Sequence, residues 1–161
     1  MNSLRIKLIT GVLALAAIAP VTADDETALL VASRGDVFAE RSTERRELQR
    51  GDGVSEEERI ITGPKSFAVL QFVDGAKVTV TPNSVLDIKE YVYNGQDENA
   101  ATLSLVEGGL RVLTGAMAKA EPDSFKVETP VALMGVRGTE FSVLLCDDGS
   151  ICQEDGATFV E

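Results

Sequence analysis

The segment TPVALMGVRGTEF, from Thr129 to Phe141, sets Gly135 and Gly138 on either side of Arg137 and follows them with Thr139. Glycines beside a cation and a hydroxyl are the materials of a phosphate cradle, in which backbone N–H groups at a helix start converge on the anion. Such a loop needs a lysine ahead of the threonine and a helix behind it. Here Thr139 has no lysine before it, and Glu140 to Leu145 alternate like a strand. Upstream, Pro130 restricts Thr129 to an extended backbone. Gly135 and Gly138 are therefore expected as turn or bulge positions between strands. Arg137 is expected to pair with a carboxylate or to cover backbone carbonyls.

The other chemistry-bearing residues lead to the same place. The sequence contains no histidine, which removes Ser-His-Asp and Cys-His nucleophiles and any imidazole base. Ser66, Ser84 and Ser104 could in principle partner one of the lysines, but no local signature marks such a pair. Twenty-six acidic residues make carboxylate pairs easy to find and uninformative without geometry. Asp147, Asp148, Glu154 and Asp155 in CDDGSICQEDG lack the spacing and closing glutamate of a calcium loop. Cys146 and Cys152 enclose five residues. In an oxidising compartment a disulfide is the default for such a pair, and the C-x-x-C spacing of a redox couple is missing. The expectation is a protein that is not an enzyme and needs no metal or cofactor.

Charge and the N-terminus define the setting. Arg5 and Lys7 precede a mostly apolar run from Leu8 to Ala19, and Val21 and Ala23 place small residues before Asp24. That is the pattern of a secretory signal peptide over residues 1–23, with cleavage between Ala23 and Asp24. The run is too short for a retained bilayer span. Residues 24–161 then form a single domain with 13 basic residues against 26 acidic ones, a net charge of −13. Such a surface repels nucleic acid and anionic headgroups. The expected location is the bacterial periplasm or the exterior.

Positioning the motifs requires strands. SFAVLQFV sets Ala68, Leu70 and Phe72 on one face, and Asp74-Gly75 then supplies a two-residue hairpin turn. AKVTVT carries Val78 and Val80 inward, Pro82-Asn83 breaks it, and SVLDIKEYVY resumes an extended pattern. TLSLVEGGLRVLTG, SFKVET and TEFSVLL complete the series. Phe72 to Gly75 and Leu105 to Gly108 share an apolar-Val-acid-Gly pattern 33 residues apart, as a stacked strand-coil unit would. Charged residues 40–59 read as exposed turns and short strands. The class is all-β.

In order, the chain shows Gly51-Asp52, Thr62-Gly63, Phe72-x-Asp74-Gly75, Pro82-Asn83-Ser84, Gly108-x-Leu110-Arg111, Thr129-Pro130 and Gly135-x-Arg137-Gly138-Thr139-x-Phe141. This succession resembles the FecR domain family across about residues 35–145. The resemblance implies a compact β-roll or short β-helix, with a β-sandwich as the alternative. It also implies a role in envelope signalling: founding members sense an iron-siderophore transporter from the periplasm and control a sigma factor from the cytoplasm. Nothing in this sequence matches the cytoplasmic part, so the sigma-factor role is not carried over. Glu57-Glu58 stands where the family has a second Gly-Asp, which puts one turn in doubt. The family pattern continues with a strand after the cysteines, expected here to be short, unpaired or truncated. The function expected is recognition of another protein in the envelope. The alternatives are a structural envelope component and a glycan- or cation-binding module.

Overall fold

The computed structural model describes residues 26–95 and 99–160. The expected cleavage site at Ala23-Asp24 lies outside the described residues. Thirteen strands follow one another: β1 (Ala28–Arg34), β2 (Val37–Arg41), β3 (Glu44–Glu47), β4 (Gly53–Val54), β5 (Arg59–Thr62), β6 (Phe67–Phe72), β7 (Lys77–Val80), β8 (Val85–Val92), β9 (Ala100–Glu107), β10 (Gly109–Leu113), β11 (Phe125–Glu128), β12 (Leu133–Leu145) and β13 (Ile151–Val160). Among the described residues, helix is confined to α1 (Ala116–Ala120) and a 3₁₀ turn at Pro122–Ser124.

The hydrogen-bonded order is β3-β2-β5-β8-β9-β11-β12-β10-β7-β6-β1-β4, with β13 on β12. All pairings are antiparallel except β9 with β11. This succession doubles back at β12. One layer is β3-β2-β5-β8-β9-β11 and the other is β10-β7-β6-β1-β4. The all-β expectation holds, and of the architectures considered the sandwich-like one fits. Inward residues of both layers form a single apolar cluster that includes Leu30, Ile60, Leu70, Leu86, Leu103, Leu110 and Phe125. Three rings tie the layers together: Phe72 stacks on Tyr91 at 4.1 Å, and Tyr91 meets Phe125 edge-on at 6.2 Å.

Strand β12 is what closes the fold on one side. Its start pairs with β11 through Leu133, Met134 and Gly135, and its end pairs with β10 through Glu140 to Leu144. Met134 and Val136 are buried in the first half, and Phe141, Val143 and Leu145 in the second. The inward phase therefore slips from even to odd numbers between Val136 and Phe141, where the register with β13 also breaks. An irregularity with an odd number of extra residues has this effect: β12 advances from Val136 to Phe141 while β13 moves only from Thr158 to Gly156, which bends the strand and resets its facing. Of the turn and bulge readings of this motif, the bulge fits, and the turn between two strands is corrected. Gly135, Arg137, Gly138 and Thr139 lie within one continuous strand, and no helix follows Gly138. The preceding turn belongs to Thr129-Pro130. Thr129 N–H donates to Ala132 O at 2.8 Å, and Ala132 N–H donates to Thr129 Oγ1 at 3.0 Å.

Three further expectations change. Asp74-Gly75 makes a three-residue loop rather than a two-residue one: Phe72 N–H donates to Ala76 O, and Gly75 sits at φ +85°. That is a turn closed by one left-handed residue. The 33-residue repeat has no structural counterpart, because Asp74-Gly75 reverses the chain within one layer whereas Gly108 carries it from one layer to the other. The final strand is neither short nor unpaired. β13 spans ten residues and pairs with β12 from Ile151 to Val160. The turn in doubt at Glu57-Glu58 does form, with Glu57 itself in the left-handed region at φ +64°.

Candidate interaction surface

The motif residues gather at two buried places. At the first, four segments change layers together. Gly35 and Gly108, at φ +72° and +76°, each begin a crossing, and each abuts a serine that ends a proline turn. Ser66 Oγ accepts Asp36 N–H at 2.9 Å, and Ser84 Oγ accepts Gly109 N–H at 2.9 Å. Lys65 and Asn83, the residues before those serines, take the same left-handed conformation at φ +58° and +52°. The two corners interlock: Thr62 N–H donates to Ser84 O, Ser84 N–H to Thr62 Oγ1, and Asn83 N–H to Gly63 O. Pro82, Asn83, Ser84, Thr62-Gly63 and Gly108 thus form one clasp. Sequence reasoning separated these motifs because their contacts are 22 to 30 residues apart. Ser66 and Ser84, weighed as nucleophiles, are fully buried and bonded to backbone.

The second place joins the hairpin at Asp74 to β8 and α1. Asp74 Oδ1 accepts Tyr91 O–H at 2.7 Å and Ala76 N–H at 2.9 Å, while Oδ2 accepts Met117 N–H at 3.2 Å. Ala116 N–H donates to Asp74 O at 3.0 Å. Burial, then the bond to Asp74, pushes the Tyr91 phenol above its ordinary range. Tyr91 therefore stays protonated through the ordinary pH range, and its bond to Asp74 holds β8 against the hairpin.

Of the remaining motif residues, Thr139 and Gly135 bond through their backbones, and the expected pairing of the Arg137 side chain lies outside the described residues. Thr139 O accepts Thr114 N–H at 2.9 Å, and Gly135 pairs with Lys126. Cys146 and Cys152 are bonded to each other, their Cα atoms 5.2 Å apart, across the turn between β12 and β13. Closing so short a loop is worth about 2 kcal/mol. Denaturant titration of Cys146→Ser/Cys152→Ser should show a loss of that size, and two free thiols in the purified protein would contradict the bond. Asp148, in the same turn, is held below the usual carboxylate range by the hydroxyl of Ser150 and then by its amide. Both groups bond its Oδ1, at 2.6 and 2.9 Å.

A surface open to a partner lies opposite β12, where β3 and β4 end the strand order without meeting. A cleft of about 860 Å³ separates them, lined by Arg41, Glu44, Arg45, Arg46, Asp52 and Glu58 among others. Arg46 spans it. Its guanidinium donates to Glu58 Oε1 and Oε2 at 2.9 and 3.0 Å and to the backbone oxygen of Gly53 in β4 at 2.7 Å. Glu58 is buried and also accepts Ser55 N–H at 2.9 Å. Arg45 stacks 4.0 Å over the Phe38 ring and pairs with Glu40 at 3.0 Å. Gly53 has no room for a side chain, since a Cβ there would lie 2.1 Å from Glu26 Cδ. The cleft offers charged groups of both signs and the free edge of β3, whose four residues are all exposed. No signal in the sequence singled out this arrangement, because it depends on which two strands end the sheet.

The family model described as FecR protein matches residues 58–160. That span begins later and ends later than the motif resemblance and includes all of β13. No curated protein matches the chain.

Proposed function

Because the chain belongs to the FecR family, we propose that it is an exported, non-catalytic binding module that recognises another protein of the cell envelope. FecR domains are associated with envelope signalling. The disulfide suits an oxidising compartment. Among the described residues, no helix is long and apolar enough to cross a membrane. The observation that carries the reading is the cleft between β3 and β4. There the sandwich presents exposed charged side chains of both signs held by bidentate and stacking contacts, the features that specific protein recognition uses.

Affinity capture of the tagged protein from its own envelope after mild cross-linking tests the proposal. One envelope protein should be enriched, and Glu44→Arg, an exposed change within the cleft, should reduce its recovery about tenfold. Recovery of wall polymer alone, or of no protein, would overturn the recognition role in favour of a structural or glycan-binding one.

A further inference from the structure

A sheet edge displays unpaired N–H and C=O groups, and proteins ordinarily guard such edges by keeping them short or charged. Among the described residues, two of the three edges are guarded. β3 is four residues of strictly charged sequence, Glu44-Arg45-Arg46-Glu47, and β4 is two residues long. The third is not. β13 runs for ten residues and, among the described residues, is bonded only to β12. From Gly156 to Val160 it contains no charged residue, no proline and a β-prone Thr-Phe-Val ending.

We propose that the outer edge of β13 accepts an extended, basic segment of a partner protein as an added strand. The choice of occupant follows from charge. Asp155 and the neighbouring Glu140, Asp147 and Asp148 are exposed, and Glu154 adds a further acid to the strand. A second copy of this chain would bring the same acids to the same edge, and the whole sequence carries a net charge of −11. Self-pairing is thereby penalised, while a strand bearing lysine or arginine gains at each position. The disulfide fixes the turn from which β13 starts, so the edge is held extended before a partner arrives. The inference rests on the recognition reading for the kind of partner, but it places that partner at a different edge from the cleft.

The test uses the mature chain and a ten-residue peptide of alternating lysine and valine. Binding is expected to weaken with salt, and amides of residues 151–160 should exchange with solvent about tenfold more slowly when the peptide is bound. A peptide N-methylated at two adjacent central residues keeps its charge but loses its ladder, and should bind about tenfold more weakly. Asp155→Lys should do the same from the protein side, with an unchanged circular dichroism spectrum. Absence of binding, protection at β3 instead of β13, or equal binding of the methylated peptide would overturn the proposal. So would a dimer of the peptide-free chain protected along β13. If Asp155→Lys left envelope capture undiminished, the β13 assignment would fall while recognition through another surface stood.

Discussion

Replacing Asp74 with alanine is expected to lower the free energy of unfolding by about 3–5 kcal/mol, measured by urea titration with an unchanged slope. The substitution removes the acceptor for three buried or partly buried donors at once: the Tyr91 hydroxyl and the amides of Ala76 and Met117. Each group left without a partner costs its own desolvation, about 1–3 kcal/mol. Tyr91→Phe removes one donor and leaves the acceptor with two others, so its loss should be about 1–2 kcal/mol. A loss below about 1 kcal/mol for Asp74→Ala would show that the hairpin, β8 and α1 are held independently. The same pair sets an alkaline limit. The folded phenol is held above the ordinary range, so its stabilising contribution is complete below the unfolded value of about 10 and is lost as pH rises beyond it. Tyr91→Phe should flatten that part of the profile.

Gly108→Ala should cost about 3–5 kcal/mol, against about 1–2 kcal/mol for Gly75→Ala. Both glycines hold left-handed backbones, at φ +76° and +85°. They differ in space. A Cβ at Gly108 would lie 2.2 Å from Ser84 Oγ and 2.5 Å from Asn83 O, whereas one at Gly75 meets nothing within 4 Å. The difference between the two variants therefore isolates the close approach at the layer crossing from the cost of the φ angle alone. Equal losses in thermal or denaturant unfolding would mean that the clasp of Thr62, Ser84 and Gly108 yields easily.

How much of this was readable beforehand depended on distance along the chain. The period-two pattern of β7 identified Val78 and Val80 as inward, and both are buried; that of β6 set Ala68, Leu70 and Phe72 on one face, which is the buried one. Such patterns are local and survive without knowledge of neighbours. The turn residues were also recognisable, but not what each turn accomplishes. Gly75 and Gly108 follow the same Val-acid pair, and one reverses a hairpin while the other passes the chain between layers. The alternation of β12 held a further clue. Met134 and Val136 fall on even positions, while Phe141, Val143 and Leu145 fall on odd ones, which marks a bulge inside one strand rather than a loop between two. The two glycines around Arg137 drew attention away from that shift. The cleft was beyond sequence reasoning because β3 and β4 become its walls only through the order of the whole sheet, and Arg46 finds Gly53 and Glu58 only after folding.

Photo-cross-linking in the native envelope tests the account most directly. Probes would replace Glu44 at the cleft, Asp155 on β13, and Lys126 on the face of β11 as a control. The account predicts covalent adducts with a defined envelope protein from an edge position and none from Lys126. Adducts of equal yield at all three positions, or none with any protein, would contradict a module built to recognise a partner through its open edges.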